Sequence, residues 1–157
     1  MRAFALLGLV ALLGLSGCES TGFRERVRDR FADVPPQVEV VAADTRTAYF
    51  AAQAAFKRLD YTLVRSSLAG LSVEAASRIN TSVAFRDAVQ LRAVVEVREV
   101  GPAQAEVALR LMELREGQGL GGAGETPLRA HGFYATYFAA LQQVLQEGAA
   151  AGLPGGK

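Results

Sequence analysis

Apolar and polar residues alternate from Ala105 to Leu114, with Val107, Leu109 and Leu111 on one side and Glu106, Arg110 and Met112 on the other. A period of two over this length is the pattern of a strand with one covered face and one wetter face. The run from Leu91 to Val100 is equally β-rich, and Gly101-Pro102 between the two marks a turn, so an antiparallel hairpin is predicted here. A sheet with one apolar face must bury it under a second layer, and this requirement organises the rest of the chain.

Two amphipathic segments can supply that layer. Ala48, Tyr49, Ala52, Phe56 and Leu59 recur at three- and four-residue spacing behind Asp44 or Thr45, either of which can cap a helix, and Lys57 and Arg58 sit where the helix dipole favours cations. Near the end of the chain, Tyr134, Phe138, Leu141 and Leu145 form a stripe that Phe133, Tyr137 and Val144 widen. Thr126-Pro127 is read as the cap and first position of this last helix. A stripe this wide predicts burial on more than one flank, with Tyr134, Tyr137 and Phe138 as a candidate partner surface. Val38 to Ala43 reads as a first strand. Thr62 to Ser66 and Leu71 to Ile79 read as a hairpin about Ala69-Gly70, and Asn80 to Val89 as a polar connection. The order strand, helix, four strands, helix predicts an α+β two-layer sandwich, an antiparallel sheet covered on one face by two helices, over residues 37–147.

The amino terminus carries a different signal. A basic residue, Arg2, precedes an apolar run from Ala3 to Leu15 that is shorter than the roughly 20 residues of a transmembrane helix and ends in small residues. Leu15-Ser16-Gly17-Cys18 follows, holding the sole cysteine of the 157 residues. This motif resembles the lipobox of bacterial lipoproteins. The resemblance implies cleavage between Gly17 and Cys18, removal of residues 1–17, and acylation of Cys18, giving a membrane attachment through lipid. Glu19 is not the aspartate that retains many such proteins in the inner membrane, so the resemblance favours the periplasmic face of the outer membrane.

Residues 18–36 are predicted to tether the lipid to the domain. Phe23, Val27 and Phe31 recur every four residues among Arg24, Glu25, Arg26, Arg28, Asp29 and Arg30, an apolar stripe against a mostly basic face, the pattern of a short helix on a membrane interface. So short a helix is marginal in water, and a solvated linker explains the same residues. Pro35-Pro36 stops any helix there. Residues 148–157 read as a disordered, small-residue tail.

Little catalytic chemistry is available. Of the full chain's 17 basic and 16 acidic residues, cleavage would remove Arg2, leaving balanced side chains and no basic excess for nucleic acid. Gly117-Gln118-Gly119-Leu120-Gly121-Gly122 has the literal spacing of a dinucleotide fingerprint, but that motif requires a parallel βαβ unit, whereas the strands here read as a meander. No cofactor and no metal are therefore expected. His131, the only histidine, suits helix capping better than zinc ligation or a serine triad. Glu96, Glu99, Glu106, Glu113 and Glu116 lie among Arg92, Arg98, Arg110 and Arg115. They could be paired catalytic carboxylates, but cross-strand ion pairs are the simpler reading.

The element order is similar to the β-α-β4-α arrangement of TBP-like domains, including those of some lipoproteins of the outer-membrane barrel-assembly machinery. That similarity implies the same sandwich and carries no site residue with it. The expectation is a lipid-anchored, non-catalytic module that binds an envelope protein. A periplasmic carrier of a small apolar or lipid ligand is the alternative, and a hydrolase using His131 the third.

Overall fold

The computed structural model describes residues 35–82, 87–116 and 124–150, all within the unit Asp33–Lys157. The lipobox with Cys18, the stripe Phe23, Val27 and Phe31, and the glycine-rich residues 117–123 lie outside the described residues. Along the chain come β1 (Gln37–Val41), α1 (Thr45–Arg58), β2 (Thr62–Ser67), β3 (Ser72–Ala76), β4 (Asn80–Ser82), β5 (Asp87–Gly101), β6 (Gln104–Glu116), β7 (Gly124–Pro127) and α2 (Phe133–Ala150). The strands form one antiparallel sheet in the order β1-β6-β5-β3-β2, with β4 also on β5 and β7 also on β6. Both helices contribute to a single core built on one face of this sheet, so the α+β sandwich is as expected.

The β5–β6 hairpin forms the spine of the sheet. Val107 pairs with Val97, Leu109 with Val95 and Leu111 with Ala93, and all six are buried in the core. The turn places Ala103 at φ 55°, a left-handed position, directly after Pro102. Each long strand is flanked end to end by two shorter ones: β1 and β7 share the outer side of β6, and β3 and β4 share that of β5. Between β3 and β4, Ser77 bridges to β5 by receiving the Leu91 N–H on its hydroxyl and donating its own N–H to the Leu91 carbonyl.

Helix α1 forms where its caps say it should. The Asp44 carboxylate accepts the Thr47 N–H at 2.9 Å and the Thr47 hydroxyl at 2.7 Å. At the other end Tyr61 N–H reaches the Phe56 carbonyl and Asp60 N–H the Lys57 carbonyl, with Asp60 at φ 60°. This is a Schellman closure, and the Tyr61 and Phe56 rings supply its apolar contact at 5.9 Å. Thr47's amide and then its hydroxyl hold the Asp44 carboxyl below its ordinary value of 3.8. A lowered carboxylate stabilises the fold above its unfolded value, and that contribution disappears as pH falls through the depressed native value. Asp44→Ala is therefore expected to cost about 1 kcal/mol at pH 7. In urea titrations the gap to the native chain should close below pH 3.8; a gap unchanged at pH 2 would contradict the capping role.

Several sequence expectations need correction. Six strands, not four, lie between the helices among the described residues. Asn80–Ser82, expected to be connection, pairs with Val89, Ala88 and Asp87 as β4. Thr126-Pro127 does not open the last helix. It ends β7, opposite Glu113 and Met112, because a proline that cannot donate is compatible with a peripheral strand. The helix starts at Phe133, where His131 caps it by accepting the Phe133 N–H on Nδ1 at 3.1 Å. It runs to Ala150, so residues 148–150 are helical rather than part of a tail.

Candidate functional site: the helix-free face of the sheet

The final helix does not offer the partner surface that its aromatic stripe suggested. Tyr134 and Tyr137 are buried in the domain's own core, and Phe138 is half-buried against it. The Tyr134 hydroxyl donates to the Leu128 carbonyl at 2.7 Å and accepts the Leu111 N–H at 3.2 Å, closing the gap between β1 and β7. The Tyr137 hydroxyl donates to the Ala52 carbonyl at 3.4 Å, and its ring packs on Phe56 at 4.6 Å. Burial raises both phenols above their ordinary value, so both rings stay neutral donors that fasten α2 to the sheet and to α1. Phe56, Leu109, Leu111, Tyr134, Tyr137 and Leu141 together fill the space between the layers.

Among the described residues, no helix lies on the opposite face of the sheet. Its floor is apolar: Ala76, Val94, Ala108 and Met112 are buried yet lie outside the core cluster. Their neighbours on that face are arginines and glutamates, whose aliphatic stems cover small residues while their charged ends meet one another. Arg92 Nε lies 3.4 Å from Glu74 Oε1, as an ion pair rather than a well-formed hydrogen bond. Glu96 bridges two arginines, with Arg98 at 3.3 Å on one oxygen and Arg110 at 3.6 Å on the other. Arg65 stands opposite Glu74 in the β2–β3 register and extends the charged row across the sheet.

Of the charged residues singled out in the sequence, Glu96, Glu113, Arg92, Arg98, Arg110 and Arg115 enter ion pairs, whereas Glu99, Glu106 and Glu116 are not among those pairs. Arg92–Glu74 and Arg110–Glu96 run diagonally between strands, and Arg98–Glu96 and Arg115–Glu113 join alternate residues of one strand. Glu74 was the partner that sequence reasoning passed over. Its only signal was its place in the alternation of β3, between Val73 and Ala75. The Glu74 and Arg110 side chains are only 12% and 18% exposed, so these pairs are less screened than ordinary surface ion pairs. Beside this network, at the β1 margin, Val38 and Val40 project from the same face, 48% and 54% exposed.

No protein-family model matches the chain, and no curated protein does. Among solved structures it is similar to a DUF4468 family protein from Bacteroides ovatus ATCC 8483, with a TM-score of 0.33 and 11% identity over 83% of this chain and 98% of that one. A likeness at that level carries no argument about fold or function. Among the described residues, no group of three or more histidine, cysteine or acidic side chains is placed to hold a metal ion. No helix there is long and apolar enough to cross a membrane, which does not address strands that cross as a barrel.

Proposed function

We propose that the chain is a bacterial lipoprotein, held by acylated Cys18 at the periplasmic face of the outer membrane, whose single α+β domain binds another envelope protein without catalysing a reaction. The observation that carries the reading is the Leu15-Ser16-Gly17-Cys18 motif at the end of an apolar run too short to span a bilayer. The helix-free face supports the binding part, since a rigid floor under interleaved charges favours a partner of matching charge pattern. The layer packing weighs against a carrier, because aromatic and leucine side chains occupy the space where an apolar ligand would sit. His131 gives its Nδ1 lone pair to the helix amide of Phe133, which leaves a hydrolase without a base at that atom.

The intact mass of membrane-extracted protein tests the anchor. A chain beginning at Cys18 plus acyl groups is expected, and a mass retaining residues 1–17 would sink the reading. In-cell crosslinking tests the binding. A discrete protein partner should depend on Cys18 and disappear with Glu96→Lys, which leaves Arg98 and Arg110 without their shared carboxylate. A partner unaffected by that change would remove the helix-free face from the proposal.

A further inference from the structure

The two outer edges of the sheet differ in a way that bears on self-association. At β2 the register with β3 shifts between Leu63 and Arg65, a bulge that bends the edge and brings a charge to it, both of which discourage pairing. β1 has no such shift, and its one charged residue, Glu39, is hydrogen-bonded to Gln142 of its own helix α2. Its five residues run in unbroken register with β6, from Gln37 opposite Leu109 to Val41 opposite Ala105, and among the described residues no strand lies on its other side.

The hydrogen-bond phase of that edge follows from Leu111. Leu111 turns both backbone groups to the outer side of β6, donating to the Tyr134 hydroxyl and accepting from Leu128 N–H. Alternation along an antiparallel strand then sends Leu109, Val107 and Ala105 the same way, toward Gln37, Glu39 and Val41. Val38 and Val40 are left with their N–H and C=O groups pointing away from β6, and their side chains are the half-exposed apolar ones of this strand.

We propose that β1 pairs antiparallel with β1 of a second copy of this chain, on a two-fold axis through Glu39. In that register each Val38 faces Val40 of the second copy and exchanges both backbone hydrogen bonds with it. The valine side chains meet on the helix-free face, where antiparallel cross-strand apolar pairs are stabilising. The contact uses the same patch on both copies, so it closes as a dimer instead of propagating into a fibre. Glu39 lies on the axis as a non-hydrogen-bonded pair, but its carboxylate accepts the Gln142 amide of its own helix α2, which draws the charge toward its own subunit. Pro35-Pro36 bounds the pairing at one end, and the turn toward Asp44 bounds it at the other. The proposal does not rest on lipidation.

A thiol at the axis tests this register. Non-hydrogen-bonded residues across an antiparallel pair have Cα atoms about 4.5 Å apart, within the range a disulfide spans. The full chain in detergent, carrying Cys18→Ser and Glu39→Cys so that residue 39 holds the sole thiol, is oxidised and run on a non-reducing gel. Most of it is expected at twice the monomer mass, whereas Val64→Cys on the β2 edge should stay monomeric. Val40→Pro in the Glu39→Cys chain removes an N–H that β6 does not use, so it should abolish the crosslink while leaving the melting midpoint in place. Val40→Lys, which keeps the N–H, should weaken the crosslink through the side chain alone. The proposal is overturned by a folded, reactive Glu39→Cys chain that stays monomeric, by equal crosslinking from Val64→Cys, or by a crosslink that survives both changes at Val40.

Discussion

Replacing Phe56 with alanine is expected to destabilise the domain by about 3–5 kcal/mol, a large share of the roughly 5–15 kcal/mol that holds such a domain folded. Phe56 has no exposed surface, packs on Tyr137 at 4.6 Å and supplies half of the apolar contact that closes α1 against Tyr61. Truncation leaves a cavity where helix α1, helix α2 and the Schellman turn meet, and none of the three can move in alone to fill it. In urea the midpoint should fall with little change in slope. Phe50 on the same helix is 48% exposed and, among the described residues, its aromatic and cationic neighbours are Tyr49 and the Arg46 guanidinium. Phe50→Ala should therefore cost less than about 1 kcal/mol. Equal losses at the two positions would contradict the packing of Phe56 between the layers.

Cys18→Ser is expected to abolish incorporation of labelled palmitate and to leave a precursor that keeps residues 1–17. The native chain should incorporate label and lose that segment. On the proposed lipoprotein reading the effect is all-or-none, because the Cys18 thiol would be the acceptor atom and serine's oxygen does not replace it in the lipobox that this stretch resembles. Each buried methylene adds about 0.8 kcal/mol, so two or three acyl chains make the difference between a firmly held protein and one held only by an unprocessed apolar segment. Label retained after the substitution would place the acyl group elsewhere and remove the motif from the proposal.

The elements that sequence reading located are those whose signal is local. The β5–β6 hairpin announces itself by alternation, and helix α1 by Asp44, an apolar stripe and Lys57-Arg58 at its end. β4 and β7 lack such a signal. Asn80-Thr81-Ser82 and Gly124-Glu125-Thr126-Pro127 contain no alternating apolar residues, and both are strands only because a long neighbour offers its free side. Thr126-Pro127 is equally good chemistry for a helix start, and the non-local pairing with Glu113 and Met112 decided against it. The aromatic stripe of α2 was legible as apolar, but its depth was not. Whether Tyr134 and Tyr137 face a partner or the core depends on acceptors at Leu128 and Ala52, which no spacing within the helix reveals. The charged face was legible as pairs in kind, while the diagonal linking Arg92 to Glu74 required the register of β3 on β5.

The place of β1 also sets a timetable. It is the first strand among the described residues, yet its pairing partner is β6, so the ends of that pairing are separated by α1 and four intervening strands. Contacts closed over so long a loop come late and slowly in folding. A chain emerging from its amino terminus therefore carries Gln37–Val41 unpaired until the hairpin has formed. Throughout that interval β1 must avoid other partners, until β6 and then β7 complete the sheet.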